Sequence, residues 1–177
     1  ERDRFIQGAG AQGYTAAQAE AIFNLIEPFA GYAFNKAHAV SYALIAYWTA
    51  YFKANYPVEY MTAVMDVRSG NMEKVPSAVT ECRLRLRIPV LPPDVNASRV
   101  SFAMERQPDG GPAIRFGLAA VKNVGAGAIQ PLIDARDREG PFSSVEDLCR
   151  RVEMKGVTKR TLESLVKAGA FDSLGPR

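Results

Sequence analysis

The sequence has only two cysteines, no leader-like start and little excess charge of either sign. Cys82 and Cys149 lie far apart and form no C-x-x-C pair, so neither a zinc site nor a disulfide framework is indicated. A reducing, cytoplasmic setting fits this cysteine usage best. The chain starts at Glu1, which we interpret as a cut inside a longer protein. A net charge of +3 permits contact with an anionic polymer but does not by itself indicate nucleic acid.

The sequence also lacks an apolar run long enough to cross a membrane. A bilayer needs roughly 20 apolar residues, whereas the uncharged stretch 37–52 is shorter and contains His38 and Ser41. Because small residues recur there every three or four positions, an alanine stripe follows one helix face. We therefore expect a buried helix at the centre of a helical unit and no membrane partner. The stripe consists of Ala39, Ala43, Ala46, Ala50 and Ala54.

Helix caps and proline positions predict a mainly α fold. Thr15 and Gln18 form a capping-box pair ahead of a short amphipathic helix, whose pattern Pro28 interrupts. Pro57 ends the alanine-striped helix and begins the next one. A further helical stretch is predicted to end near Leu86.

The character of the sequence changes about half-way along the chain. An extended run at 88–91 leads into a rigid Pro-Pro-Asp turn, and we place a boundary there between domains 1–90 and 91–177. Strand-like runs at 100–105 and 113–118 flank a Pro-Asp-Gly-Gly turn, which predicts a small β-hairpin. The remainder alternates short helices with glycine-containing turns.

Two glycines flank a single residue in the segment 121–129, Val-Lys-Asn-Val-Gly-Ala-Gly-Ala-Ile. Because glycine allows positive φ and close approach, the amides from Gly125 to Ala128 are expected to converge on an anion at a helix N-terminus. Lys122 is placed to add a charge-assisted contact to the same phosphate. The alternative is that Gly125 makes a helix C-cap and Gly127 a tight crossing.

This pattern resembles the helix-hairpin-helix motif, which holds the DNA backbone without reading bases. A second unit follows, with a helix at 145–152, a turn at 154–157 and a helix that Thr158 caps and Gly169 ends. Its basic residues are placed to meet a backbone, or they form a solvated face. Its predicted buried residues are Leu162, Leu165, Val166 and Phe171. The predicted DNA-binding residues are Lys122, Asn123, Gly125, Ala126, Gly127, Lys155, Lys159 and Arg160.

The string Phe-Ala-Gly-Tyr-Ala-Phe-Asn-Lys-Ala-His-Ala-Val-Ser-Tyr-Ala-Leu at 29–44 resembles the fingers motif of the bacterial C-family replicative DNA polymerases. Further matches to that family stand in the right order at 56–61, 91–96, 116–127 and 162–175. Together they cover nearly the whole chain. The resemblance implies a helical segment from the end of the fingers domain, followed by a small β-hairpin and a tandem helix-hairpin-helix unit.

Three positions depart from the pattern of that family. Ala37 stands where the family usually has serine, and Ala33 where it often has glycine. Arg87 occupies a position where glycine commonly precedes the Ile-x-Val-Leu-Pro-Pro run. These changes remove a hydroxyl near the nucleotide and an easy helix stop, so both the main replicative enzyme and an error-prone paralogue stay open.

The resemblance implies that the fingers close over an incoming deoxynucleoside triphosphate while catalysis occurs in a palm domain. Two-metal phosphoryl transfer needs acidic ligands, and the sequence has no Asp-x-Asp pair. We therefore expect no cofactor in this segment, Mg²⁺ in a palm outside it, and no polymerisation by the isolated piece. Expected partners are the primer-template duplex, the triphosphate, other domains of the polymerase and replisome subunits.

The predicted nucleotide-binding residues lie at the first turns of the alanine-striped helix, where free backbone donors favour phosphate oxygens. Lys36 and His38 are expected to contact phosphate, although His38 has a purely structural alternative. Asn35 serves as a ligand or only as the N-cap. Phe34 and Tyr42 face the base pair or belong to a core.

Two other classes of function stay open at this stage. One is a stand-alone, non-specific DNA-binding module in which the N-terminal helices are scaffold. The other is a structural connector whose hairpins pack against neighbouring domains without touching nucleotide. Salt-dependent DNA binding separates the connector from the two DNA-binding interpretations.

Overall fold

A computed structural model describes residues 1–30, 36–71, 73–154 and 156–175, with Lys36 described by its backbone only. Those residues form two compact units, Glu1–Ala50 and Tyr51–Arg177. They contain eight α-helices and three short strands, which confirms a mainly α fold with a small hairpin. The helices are α1 Arg2–Ala11, α2 Ala16–Ala30, α3 Lys36–Asn55, α4 Pro57–Val67, α5 Lys74–Glu81, α6 Ala126–Glu139, α7 Val145–Arg151 and α8 Lys159–Lys167. The strands are β1 Val90–Leu91, β2 Ala103–Arg106 and β3 Pro112–Arg115.

The capping box predicted at the start of α2 is confirmed. The Thr15 amide donates to Oε1 of Gln18 at 2.9 Å, and the Gln18 amide donates to Oγ1 of Thr15 at 3.3 Å. Pro28, however, does not end the helix, which continues to Ala30. Within the same unit, α1 lies against α2, where the rings of Phe5 and Phe23 are 5.6 Å apart.

Helix α3 has the predicted extent but not the predicted burial. Its alanine stripe was expected to pack in a core, yet nearly every described side chain along it is exposed. The only tryptophan, Trp48, is 51% exposed, and Tyr42 and Tyr47 are more exposed still. The expectation of a buried helix is therefore wrong for the described chain, because no described element covers this apolar surface.

Helix α4 begins at Pro57, as predicted, and packs with α5 and the sheet in one core. After α5 the chain forms a single π-helical turn, Cys82–Leu86, which ends at Arg87 with φ 57° and ψ 30°. This left-handed conformation strains a residue with a Cβ atom by roughly 1–2 kcal/mol. The helical segment thus stops at the position predicted, although arginine replaces the glycine that would make the stop easy.

The three strands form a sheet in the order β1-β3-β2. β2 and β3 make the predicted antiparallel hairpin, and β1 adds to it in parallel through the pairing of Val90 with Ile114. Arg115 binds the carboxylate of Glu105 with two 2.7 Å hydrogen bonds and donates to the carbonyl of Pro92 at 2.9 Å. The Arg115 guanidinium lowers the pKa of Glu105, so this carboxylate is charged at neutral pH.

Two apolar cores lie within the unit Tyr51–Arg177. One joins α4 and α5 to the sheet, with Met61, Met65 and Ile114 buried. Residues on both sides of the domain boundary predicted at residue 90 therefore share this core. The division into domains 1–90 and 91–177 stays a prediction. The second core joins α6, α7 and α8 and contains Val95, Leu118, Val124, Ile129, Leu132, Phe142, Leu148, Leu165 and Phe171.

The helix pair α7 and α8 was predicted closely. Thr158 caps α8 by accepting from the Thr161 amide at 3.1 Å, and Gly169 follows the helix with φ 81°. Leu165 and Phe171 are buried as expected, but Val166 is 46% exposed. The error for Val166 arises because the residue next to Leu165 lies about 100° around the helix, away from the core.

Candidate nucleic-acid interface

The first hairpin turns at Asn123, between a short 3₁₀ turn at Leu118–Ala120 and helix α6. Asn123 has φ 65°, a left-handed conformation that asparagine tolerates better than most residues. Val124 is 7% exposed and anchors the turn in the core, and its amide donates to the carbonyl of Val121 at 3.1 Å. Gly125 then forms the N-cap of α6 with extended backbone, φ −99° and ψ 153°.

The two glycines of this hairpin lie at the start of helix α6, but their backbone does not use the positive φ that glycine allows. Neither Gly125 nor Gly127 has positive φ, and Asn123 makes the left-handed turn instead. The alternative of a C-cap is wrong, because Gly125 precedes a helix. A Cβ atom added at Gly125 or Gly127 would meet no protein atom within 4 Å. The described chain therefore gives no steric reason for glycine at either position.

The start of α6 presents backbone donors to solvent. Gly125 supplies no side-chain cap, and the amides of Ala126 and Gly127 have no acceptor in the described part of the chain. Such N-terminal amides, together with the helix dipole, favour a bound anion. Lys122 lies three residues before the N-cap and is exposed. Five of the predicted DNA-binding residues are thus adjacent at one surface: Lys122, Asn123, Gly125, Ala126 and Gly127.

The second hairpin is built differently. Its helix α8 has its own side-chain cap, Thr158, and the turn before it uses Gly156 at φ 97°. Lys159 is exposed, but its ammonium group lies 3.8 Å from the carboxylate of Glu163. Arg160 is exposed, and Lys155 lies outside the described residues. The positive charge of Lys159, which was predicted to contact DNA, is therefore partly neutralised by Glu163 within α8.

A cleft of about 430 Å³ lies between the first hairpin and α8. Lys122 and Asn123 line one side, Ser164 and Lys167 line the other, and no carboxylate is among the lining residues. The Asn123 side-chain amide donates to Oγ of Ser164 at 3.4 Å. Sequence reasoning missed Lys167, because no local pattern relates the end of α8 to a turn more than forty residues earlier.

The predicted nucleotide site is described only in part. Phe34 and Asn35 lie outside the described residues, and Lys36 is the first residue of α3. His38 and Tyr42 stand one helical turn apart, with ring centroids 4.2 Å apart and planes inclined by 54°. Both side chains are exposed rather than part of a core. The structure therefore brings these two predicted residues together on one accessible face.

No group of three or more histidine, cysteine, aspartate or glutamate side chains in the residues that the structure describes is arranged to hold a metal ion. None of the described helices is long and apolar enough to span a bilayer.

The second half of the chain matches a known family. Residues 87–177 match the family model described as the helix-hairpin-helix motif. This segment contains the sheet, the free N-terminus of α6 and the α7–α8 pair. The chain belongs to the helix-hairpin-helix family.

Its full length is also similar to the α subunit of bacterial DNA polymerase III, which confirms the resemblance to C-family polymerases. It is 47% identical over 176 residues to that subunit from Thermus aquaticus, covering 99% of this chain and 14% of the relative. The subunit from Escherichia coli strain K12 is 44% identical over 176 residues, covering 99% of this chain and 15% of the relative. The subunit from Mycobacterium tuberculosis strain CDC 1551 / Oshkosh is 43% identical over 175 residues, with 99% and 14% covered. The chain thus spans about one seventh of the length of these curated relatives.

Proposed function

We propose that the Tyr51–Arg177 unit binds duplex DNA through backbone phosphates, with the start of α6 as its main contact. The observation that carries this proposal is the pair of free amides at Ala126 and Gly127, beside glycines that no protein atom requires. A phosphate oxygen needs both the donors and the space that a Cβ atom would occupy. Lys122 supplies the opposite charge at the same surface.

The proposed contact carries no sequence information. Main-chain amides and lysines bind phosphate oxygens, which are the same for every base pair, so they set position rather than specificity. Lys155, Lys159 and Arg160 of the second hairpin are additional candidates for the same backbone. We assign them a smaller contribution, because Lys159 is already near Glu163 and Thr158 caps its own helix.

Replacing Lys122 by alanine tests this proposal. Fluorescence anisotropy titrations would compare two duplexes of unrelated sequence at several salt concentrations. We expect equal affinity for both duplexes, a linear fall of log K with log salt, and a loss of about three- to tenfold for Lys122→Ala. The slope against log salt should also fall by about one, because one phosphate contact is lost.

Lys74→Ala is the matched control, because Lys74 is an exposed lysine of α5 outside the helix-hairpin-helix segment. It removes the same charge from the same chain, and we expect little change in affinity. Absence of DNA binding even at low salt would reject the proposal and favour the structural connector.

We further propose that the chain acts as part of a DNA polymerase III α subunit, with the start of α3 near the incoming deoxynucleoside triphosphate. The support is the similarity over 99% of the chain and the exposed His38–Tyr42 pair at the first turns of α3. Monomeric proteins rarely expose a large contiguous apolar surface, so the exposed face of α3 also favours a larger polymerase over a stand-alone module. Asn35 and Phe34 remain proposed contacts of the same nucleotide.

Alanine at Lys36 and His38 in the full-length polymerase subunit tests the nucleotide contact. A charge-assisted hydrogen bond is worth about 1.5–3 kcal/mol, so each variant should raise the apparent KM for the triphosphate by about tenfold or more. Single-nucleotide incorporation on a primed template provides the measurement. Primer-template affinity serves as the internal control and should stay constant. Unchanged KM and turnover in both variants would remove the assignment.

Catalysis itself is proposed to lie outside this chain. Phosphoryl transfer by two Mg²⁺ ions requires carboxylate ligands, which we assign to a palm domain of the polymerase. This chain then contributes binding and positioning, and by itself should not extend a primer. Other polymerase domains and replisome subunits are its proposed protein partners, in the bacterial cytoplasm.

A further inference from the structure

We propose that Lys167 of helix α8 shares a phosphate with Lys122, so that the second helical pair serves DNA binding through its C-terminal end. The inference rests on the proposed DNA binding and names a residue that the motif itself does not mark. Its basis is the cleft of about 430 Å³ that Lys122 and Lys167 both line. No other part of α8 lines this cleft with a cationic side chain.

The lining of the cleft is partly apolar, but its two charged groups are both cationic. Two exposed ammonium groups border it, no carboxylate lines it, and neither lysine has an ion-pair partner in the described part of the chain. Asn123 and Ser164 add polar groups to the lining of the same cleft. An anion placed there would be attracted by both charges, whereas an uncharged ligand would leave them unused.

The position of the cleft also indicates which part of a DNA strand the hairpin would contact. Asn123 occupies the left-handed turn immediately before the free amides of α6, and its side chain contacts Ser164 of α8. The turn is therefore held beside α8 at the position where Lys122 and Lys167 meet the cleft. A phosphodiester backbone that contacts the amides of α6 would place a neighbouring phosphate near both lysines, because successive phosphates of one strand are close together.

Lys167 is also placed to stabilise helix α8 itself, and this role must be distinguished from phosphate binding. It lies in the last turn of α8, where a cation stabilises the helix by interacting with the carbonyl end of the dipole. That role affects the free energy of unfolding but not the salt dependence of DNA binding. The two roles therefore predict different measurements on the same variant.

The test compares Lys167→Ala, Lys167→Arg, Lys122→Ala and the double alanine variant in the 177-residue chain. Anisotropy titrations with a duplex of fixed sequence would be repeated across a salt series, and circular dichroism would verify the fold of each variant. We expect Lys167→Ala to lower affinity about three- to tenfold and to reduce the salt slope by about one. Lys167→Arg should keep the slope, because it keeps the charge.

The double variant measures whether the two lysines share one phosphate. Residues that contact the same group are coupled, so the combined loss should differ from the sum of the single losses. If Lys122→Ala weakens binding while Lys167→Ala leaves affinity and slope unchanged, this inference is wrong and the proposed DNA binding stands. If neither single variant nor the double variant changes binding, this inference and the proposed Lys122 contact are both wrong. The proposed DNA binding itself is rejected only if the unaltered chain does not bind duplex DNA at low salt. A Lys167→Ala variant that unfolds earlier but binds DNA normally assigns Lys167 to helix stability alone.

Discussion

Gly127→Ala is expected to stabilise the fold slightly while lowering the affinity for duplex DNA about tenfold. Gly127 is the second residue of α6, has no positive φ, and has open space where a Cβ atom would lie. Alanine there should add about 0.5 kcal/mol to the free energy of unfolding, since glycine in a helix is entropically unfavourable. The same methyl group would occupy the space through which a phosphate oxygen approaches the amide.

If Gly127 belongs to a ligand site, Gly127→Ala should raise the free energy of unfolding and lower the DNA affinity. A glycine required only by the fold would instead lower the free energy of unfolding when replaced. Urea titration followed by circular dichroism gives the first quantity, and anisotropy with duplex DNA gives the second. Gly8→Ala is the control, because Gly8 is also a helical glycine with no protein atom near its added Cβ. It should leave DNA affinity unchanged. A Gly127→Ala variant that binds DNA as tightly as the original chain would refute the assignment of the α6 N-terminus.

Arg151→Ala should lower the free energy of unfolding by about 3 kcal/mol, because it removes the donor to two part-buried carbonyl groups and leaves Asp147 without its cation. The Arg151 side chain is 12% exposed and joins the end of α6 to α7. It donates to the carbonyl oxygens of Ala135 at 3.1 Å and Gly140 at 2.7 Å. Its guanidinium also lies 4.7 Å from the ring centre of Phe142, in a cation–π arrangement.

A carboxylate completes this junction. Asp147 lies 3.1 Å from Arg151, and the backbone amide of Ser143 together with Arg151 lowers the pKa of its carboxyl group. Asp147 is therefore ionised at neutral pH and can accept from the guanidinium. These contacts depend on the planar guanidinium of Arg151, whose N–H groups donate in several directions. The ammonium group of lysine does not provide this geometry.

Two variants separate the buried network from a general effect of charge. Arg150→Ala removes the adjacent, exposed arginine and should change stability by less than about 0.5 kcal/mol. Arg151→Lys keeps the charge but should lose most of the stability, because the planar guanidinium is gone. Urea titration gives the free energies, and hydrogen exchange at 135–142 reports the local effect. Equal losses for Arg150→Ala and Arg151→Ala would contradict the assigned role of the junction.

Local signals in the sequence predicted most of the secondary structure. The Thr15–Gln18 pair, Pro57 at a helix start and Thr158 as a cap were all correct, because each acts through hydrogen bonds or sterics within about four residues. Local signals were insufficient at Asn123. The left-handed turn falls on asparagine rather than on the glycines, since the anchoring of Val124 in the core decides where the chain reverses.

The sequence by itself determined the mainly α architecture, the hairpin and the glycine segment that follows Lys122, because these depend on spacing and local chemistry. Its motifs also carried the resemblance to the polymerase family. Only the tertiary structure decided that the α3 surface is exposed and that Lys167 lines the same cleft as Lys122. Those features depend on contacts between residues distant along the chain. Such contacts are set by the packing of whole elements against one another, which no single stretch of sequence specifies.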